Sequence, residues 1–271
     1  QVVLASLGAT LVRDPAAGGY VISRIYQTDP DYPDQRGPLA RTEVGLAEGD
    51  VIEAINGVST LAVDHPATLL KNQAEQQVLL RVRSATTNQS TDLIVRPIAP
   101  GRAARLRYTA WEYKTRLLVE QRGEGQIGYV HLRAMGGENY AEWARDYYPV
   151  FNRQGLVIDV RNNRGGNIDS WILEKLLRRA WFYRQPRIGK PDWNMQYAFR
   201  GHLVVLCNES TSSNGEIFAE GIRRLGLGKI IGTRTWGGAI WRTYVLRLVD
   251  RGNGPGSHAG MYSPEGEWMI E

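Results

Sequence analysis

The first part of the chain carries short apolar segments separated by polar turns. Residues 2–98 contain four of them, GGYVISRIY, GDVIEAIN, QVLLRVRS and DLIVRP, divided by glycine, proline and aspartate. Their length and β-branched content predict short strands, with one helical stretch near Pro66 to Glu75. We therefore predict a small, mostly β domain over residues 1–98.

The segment PIAPGRAARL follows this domain, and its prolines and glycine predict a domain boundary. Behind it we expect a helical linker over residues 99–126. The densest basic stretch, GRAARLRYTAWEYKTR, lies there. Interleaved arginines and aromatic residues can bind single-stranded nucleic acid. A solvated helix face accounts for them more simply, and we predict no nucleic-acid partner.

From residue 127 onward, apolar runs alternate with amphipathic stretches. The runs are GYVHL, LVIDV, HLVVLCN and KIIGT, and the stretches between them are NYAEWARDYY, IDSWILEKLLRRA and GEIFAEGIRRLG. LVIDV and LVVLC are almost wholly apolar, which is typical of parallel strands covered on both faces. Residues 127–271 are therefore predicted to form an α/β domain of repeated crossover units.

Composition excludes several classes of protein. The single cysteine, Cys207, rules out an internal disulfide framework and lies in an apolar run, which predicts a buried side chain rather than a reactive thiol. Acidic clusters and paired histidines at metal-ligand spacing are missing from the sequence, so we expect no metal and no cofactor. No apolar run approaches about 18 residues, and we predict no membrane insertion.

Two polar loops follow the ends of central strands, namely DVRNNRGGNID and CNESTSSNGEIF. Each loop enters a helix and so presents N–H groups at the positive end of the helix dipole. Gly165 and Gly166 allow the backbone to approach a substrate closely, and the serine-rich turn places the Ser213 hydroxyl beside the next amide. The loops indicate a nucleophile with oxyanion donors, unless Ser213 only caps its helix.

The motifs YVHL, DVRNNRGG, SNGEIFAE and GLGKIIGTRTWGG occur in the order and at spacings similar to those of the tricorn branch of the tail-specific serine peptidases. The chain resembles this family over nearly its whole length. The resemblance implies a ClpP/crotonase-like catalytic domain of ββα crossover units, preceded by a small PDZ-like domain. It also implies a serine endopeptidase that hydrolyses peptides through an acyl-enzyme intermediate.

The resemblance also gives roles to single residues. Ser213 begins the family's Ser-x-Gly-acid pattern and would be the nucleophile. The N–H groups of Gly166 and Asn214 would hold the oxyanion. Aspartate is commoner than asparagine at position 214, and the change should be tolerated if only the amide matters. We interpret Glu216 as a carboxylate that favours the helix start rather than as a proton carrier.

The sequence does not contain the residue that the family uses as a general base for the serine. The Ser-Lys branch of the family keeps a lysine in a T-F-G-K turn, but here residues 235–238 read TWGG. Tricorn-type enzymes use a histidine of a Ser-His pair upstream of the PDZ-like module, with a glutamate that falls on Glu271. We therefore expect an N- and C-terminally truncated piece, inactive or weakly active alone, because serine without a base is a poor nucleophile. His131, in a strand, is interpreted as structural.

Ser6 to Ala9, SLGA, resemble the x-Φ-G-Φ loop of PDZ domains, and PLARTEVGLAEGDVIEAINGVST resembles their core motif. In such domains a peptide adds to a sheet edge and loop amides hold its terminal carboxylate. Here these would be the amides of Leu7, Gly8 and Ala9. In the alternative reading, the polar, proline-rich loop from Asp29 to Arg41 occludes the groove and the module serves only for packing.

The expected partner is a peptide or an unfolded protein, and homo-oligomerisation is left open. A bacterial, periplasmic location is favoured over the cytoplasm. The alternative function is a non-catalytic peptide-binding protein, a PDZ module joined to a degenerate peptidase fold. An acyl-CoA enzyme of crotonase type shares the crossover architecture, but the SNGE turn and the PDZ-like segment argue against it.

Overall fold

The structure of the protein is a computed structural model that describes residues 2–239, 241–243, 256–259 and 264. The chain divides into two compact units, unit 1 (Gln1–Thr115) and unit 2 (Arg116–Glu271). Each unit has a hydrophobic core of its own. The two units are therefore described separately.

Unit 1 is built on one antiparallel sheet. Its strands are β1 (Ala9–Asp14), β2 (Gly19–Ile25), β3 (Val51–Ile55), β4 (Val58–Ser59), β5 (Val78–Arg83) and β6 (Ser90–Val95). The spatial order is β1-β2-β3-β5-β6, with β4 paired to β3. In β5, Val78, Leu80 and Val82 are buried while Leu79 and Arg81 are exposed. This period of two packs one face of the sheet onto the core, and the predicted mostly β domain is confirmed.

Short 3-10 helices connect these strands at Pro33–Gln35, Pro38–Ala40, Thr60–Ala62 and Pro66–Leu70. The last of them lies where the sequence predicts a longer helix. Pro66 begins it, since the fixed φ of proline suits a first helical turn. It ends before Asn72, whose φ of 59° lies in the left-handed region. The helix is therefore shorter than the sequence predicts.

A long helix, α1 (Pro100–Arg122), occupies the segment of the expected linker, and the division between the units falls within it. In unit 1, its residues Ala103 and Leu106 form a small cluster with Ile98 and Tyr26. Neither α1 nor any other helix within the described residues is long and apolar enough to cross a membrane. The exact domain limits, at residues 98 and 127, stay a prediction.

Unit 2 has a four-stranded parallel sheet at its centre. The strands of the unit are β7 (Ile127–His131), β8 (Gly155–Asp159), β9 (Phe182–Arg184), β10 (Asp192–Asn194), β11 (His202–Cys207), β12 (Lys229–Gly232), β13 (Trp241–Thr243) and β14 (Gly256–Ala259). The central order is β12-β11-β8-β7, whereas β9 pairs with β10 and β13 with β14, both antiparallel. The helices are α2 (Gly137–Tyr147), α3 (Asp169–Leu177) and α4 (Asn214–Arg224). The predicted alternation of strands and helices is confirmed.

The core of unit 2 accounts for the apolar runs in its strands. Ile158 of β8 and Val205 of β11 are fully buried, as is Phe218 of α4. Trp143 and Tyr147 of α2 stack with ring centroids 4.6 Å apart. Because β8 and β11 are parallel neighbours, the loops that leave their carboxyl ends lie side by side.

Candidate active site

Ser213 ends a tight turn between β11 and α4. The turn is fastened by Thr211, whose hydroxyl donates to the carbonyl oxygen of Val160 (2.8 Å) and accepts from the amide of Asn208 (3.0 Å). Ser213 has φ 53° and ψ −122°, a conformation that residues other than glycine rarely adopt. The turn thereby presents the side chain of Ser213 at the N-terminus of α4.

The start of α4 does not depend on the Ser213 hydroxyl. The amide of Glu216 donates to the backbone carbonyl oxygen of Ser213 (2.9 Å), so it has a main-chain acceptor. In return, the Glu216 carboxylate accepts from the amide of Ser213 (2.8 Å). The helix start is thus held by backbone groups and one carboxylate, and this leaves the hydroxyl available for chemistry.

The second loop, residues 160–168, joins β8 to α3 and is fixed against Met135. The amide of Met135 donates to the carbonyl oxygen of Gly165 (2.8 Å), and the amide of Asn167 donates to that of Met135 (2.7 Å). Gly166 lies between these two bonds in a parallel bridge, so its own N–H points to the other side. Its φ is 150°, and an added Cβ would lie 1.9 Å from the Met135 oxygen, so only glycine fits.

Gly165 brings the two loops into contact. A Cβ added there would lie 2.6 Å from Cβ and 3.0 Å from Oγ of Ser213, and 3.2 Å from the amide nitrogen of Asn214. Asn214 begins α4, so its N–H is one of those without an acceptor inside the helix. The hydroxyl of Ser213, the amide of Asn214 and the loop that carries Gly166 therefore meet in one small region.

Asn163 ties the two loops together. Its fully buried side chain donates to the carbonyl oxygen of Leu132 (2.7 Å) and accepts from the amide of Gly165 (2.8 Å). Its backbone oxygen accepts from the amide (2.9 Å) and the hydroxyl (3.1 Å) of Ser212. The sequence alone does not single out Asn163, because two of its partners, Leu132 and Ser212, lie far away along the chain. The one available signal is its place directly before the Arg-Gly-Gly turn.

Asn214 acts through its side chain as well as its backbone. Its Nδ2 donates to Oδ1 of Asp169 (2.5 Å), and its Oδ1 accepts from the amide of Asp169 (3.1 Å). This exchange joins the first residues of α3 and α4. The backbone N–H is therefore not the only group of residue 214 that makes structural contacts. Asp169 is a further residue of the site that the sequence does not indicate.

His131, the last residue of β7, lies in a buried polar cluster. Its Nδ1 is 4.0 Å from Oδ1 of Asp159, and the Asp159 carboxylate accepts from the Tyr129 hydroxyl (2.8 Å) and the Arg161 guanidinium (2.6 Å). Burial lowers the pKa of His131 to about 4, although Asp159 acts in the opposite direction. The imidazole is thus neutral near pH 7.

Leu7, Gly8 and Ala9 lie in unit 1, where Leu7 and Gly8 precede β1 and Ala9 is its first residue. Leu7 and Gly8 are buried. The amide of Gly8 donates to the Ser6 hydroxyl (3.1 Å), and a Cβ added at Gly8 would lie 2.9 Å from Cδ of Pro38. Pro38 belongs to the polar, proline-rich loop, Asp29 to Arg41, which occludes the groove in the alternative hypothesis. The amide of Gly8 therefore has an acceptor already, and that loop packs directly against Gly8.

Glu271 and Cys207 are the remaining residues that the sequence singles out. Glu271 lies outside the described residues. Cys207 is buried, and burial raises the pKa of its thiol, as is typical of an unreactive cysteine. Among the residues that the structure describes, no group of three or more histidine, cysteine, aspartate or glutamate side chains could hold a metal ion.

Two family models match the chain. Residues 126–271 match peptidase family S41, and residues 5–100 match the tricorn protease PDZ domain. Tricorn protease homolog 1 of Streptomyces coelicolor is 37% identical over 244 residues, which cover 90% of this chain and 23% of that protein. The tricorn protease homolog of Saccharolobus solfataricus is 35% identical over 245 residues, 90% of this chain and 22% of that protein.

The solved structures lead to the same family. A crystal structure of the tricorn protease superposes with a TM-score of 0.77 at 30% identity, covering 91% of this chain and 24% of that chain. The chain thus spans less than a quarter of the length of these relatives. They come from bacteria and archaea, so a bacterial source is only partly supported. The fold expected from the resemblance is confirmed, and the chain belongs to peptidase family S41, a family of serine-type hydrolases, in its tricorn-type branch.

Proposed function

We propose that the chain carries the nucleophile and the oxyanion site of a serine endopeptidase, with Ser213 as the nucleophile. The proposal rests on the backbone conformation of Ser213, which has a φ of 53° and lies beside Gly165 at the start of a helix. Conformations of this kind cost about 1–3 kcal/mol and persist mostly where function requires them.

The proposed reaction begins when Oγ of Ser213 attacks the carbonyl carbon of a peptide bond and loses its proton to a general base. The amides of Gly166 and Asn214 hold the oxyanion of the tetrahedral intermediate, and each such donor contributes roughly 10²–10³ to the rate. The C–N bond then breaks, the base returns the proton to the leaving amine, and an ester on Ser213 remains. Water, deprotonated by the same base, hydrolyses this ester.

The general base in this proposal is a histidine outside residues 1–271, as the family resemblance implies, with Glu271 helping to orient it. Two histidines of the chain are poorly placed to act as this base. His131 is neutral, but its side chain is completely buried beside Asp159 and is not accessible from the surface. The histidine at position 202 is exposed at the start of β11, the opposite end of the strand from the nucleophile turn.

For unit 1 we propose peptide binding at β1, an edge strand of its sheet, with the amides of Leu7, Gly8 and Ala9 near the peptide carboxylate. The hydrogen bond from Gly8 to Ser6 would have to break for all three amides to act together. We accordingly propose that the substrates of the full-length protein are peptides or unfolded proteins, because these can supply an extended strand.

A fluorophosphonate probe tests the nucleophile directly. The chain and an N-terminally extended version are treated with the probe, and the modified residue is located by peptide mass spectrometry. We expect labelling at Ser213 in the extended version and little in the short chain. Ser213→Ala should abolish the label, whereas Ser210→Ala, at an exposed serine of the same turn, should not change it.

The outcomes separate the candidates. An extended version that binds peptides but is never labelled would favour the non-catalytic peptide-binding alternative. Rapid labelling of Ser213 in the short chain would contradict the need for a base from outside residues 1–271, while supporting Ser213 as the nucleophile.

A further inference from the structure

The Glu216 carboxylate binds three backbone amides from two separate segments. Its Oε2 accepts from the amides of Ser213 (2.8 Å) and Gly238 (3.1 Å), and its Oε1 accepts from the amide of Gly237 (2.5 Å). Hydrogen bonds to an ionised carboxylate are among the stronger ones in proteins. One side chain in the first turn of α4 thus connects the backbone of Ser213 to the segment 233–238.

The segment 233–238 is fastened to the nucleophile turn at two more points. The amide of Trp236 donates to the carbonyl oxygen of Thr211 (3.0 Å), and the hydroxyl of Thr233 donates to the carboxylate of Glu209 (2.9 Å). Both acceptors lie in the turn that leads to Ser213. The segment therefore follows this turn along its length, and Glu216 makes the contact nearest to Ser213.

Gly238 takes part in this contact through its backbone amide. A Cβ added at Gly238 would lie 2.1 Å from the ring of Trp236, so a side chain there would require the indole to move. In the Ser-Lys branch the corresponding turn carries a lysine. Here the same turn supplies the amides of Gly237 and Gly238 to the Glu216 carboxylate. It therefore helps to position the nucleophile turn and does not supply a base.

We propose that Glu216 is a positioning residue, which keeps Ser213 in its left-handed backbone conformation by binding its amide and clamping the segment 233–238 beside it. The inference rests on the proposed role of Ser213 as the nucleophile. Glu216 does not act as the base, because both of its oxygens are occupied by N–H donors. Without the carboxylate, Ser213 loses the acceptor for its amide and Oγ moves away from the oxyanion donors.

The test compares Glu216→Gln with Glu220→Gln. Glutamine keeps the shape of the side chain but offers one acceptor oxygen, so the three amides cannot all be satisfied. Glu220 lies one turn further along α4 and pairs with Arg223 and Arg224, and so serves as a matched control. Circular dichroism and thermal denaturation establish that both variants are folded.

The first readout is the rate of fluorophosphonate labelling at Ser213 in the extended version, measured against probe concentration. For Glu216→Gln we expect the maximal labelling rate to fall about tenfold or more, with the probe concentration at half-maximal rate changed by less than about twofold. Glu220→Gln should change neither. A labelling rate in Glu216→Gln equal to that of the unmodified protein would overturn the inference.

The second readout does not require activity. Amide hydrogen exchange of Gly237 and Gly238 is followed in the 271-residue chain, where we expect about tenfold faster exchange in Glu216→Gln and no change in Glu220→Gln. Unchanged exchange in both variants would show that the clamp does not exist. If Ser213 is never labelled in the unmodified protein, the proposed function fails, a result distinct from either outcome for Glu216.

Discussion

Acid should destabilise unit 2 through one buried histidine. His131 is 3% exposed at the end of β7, and burial lowers its pKa from 6.5 to about 4. Asp159 opposes this shift, whereas Arg133 and Arg161 add to it. In the unfolded chain these influences are lost. Between pH 6.5 and 4 the unfolded chain therefore binds a proton that the folded chain does not.

The sign and the size follow from these two pKa values. The contribution of neutral His131 to the free energy of unfolding is complete above pH 6.5, is lost as the pH falls toward 4, and decreases no further below that. Linkage gives a loss of about 2.5 kcal/mol between about pH 7.5 and about pH 4.5. That is a large part of a typical domain stability of about 5–15 kcal/mol.

Urea unfolding at a series of pH values measures this loss. Tryptophan fluorescence reports on unit 2, because Trp143 is buried in its core. His131→Gln removes the titrating group, so the stability difference between the original protein and this variant should shrink as the pH falls, while carboxylates common to both cancel. His202→Gln, at an exposed histidine of β11, is the control and should parallel the original protein. Parallel pH curves for His131→Gln and the original protein would refute the linkage.

Two substitutions test the contacts between the loops. Gly165→Ala places a methyl group 2.6 Å from Cβ of Ser213 and imposes a side chain at φ 77°. We expect fluorophosphonate labelling to slow about a hundredfold, while Gly137→Ala, in open space at the start of α2, should leave it unchanged. Asn214→Asp sets a second carboxylate against Asp169, and thermal denaturation at pH 7 should show a stability about 1–3 kcal/mol lower than that of the original protein. Equal stability at pH 7 would contradict this.

The sequence predicts much of the fold because its strongest signals are local. Ile158 and Val205 stand in apolar runs that read as covered parallel strands, and the glycine and serine loops follow them directly. The contacts that shape the site are not local. Asn214 meets Asp169 across 45 residues, and Gly238 meets Glu216 across 22. Glu216 lies in the first turn of α4, as the sequence predicts, but the sequence gives no sign of its contacts with Gly237 and Gly238.

The strained backbone of Ser213 lowers the stability of the fold at the same residue that supplies the proposed nucleophile. Glycine would relax a residue at φ 53° and ψ −122°, so Ser213→Gly should yield a more stable and chemically inert protein. Under the proposed function, the hydroxyl at position 213 is therefore kept against the stability of the fold, because glycine would relieve the backbone strain and remove the nucleophile.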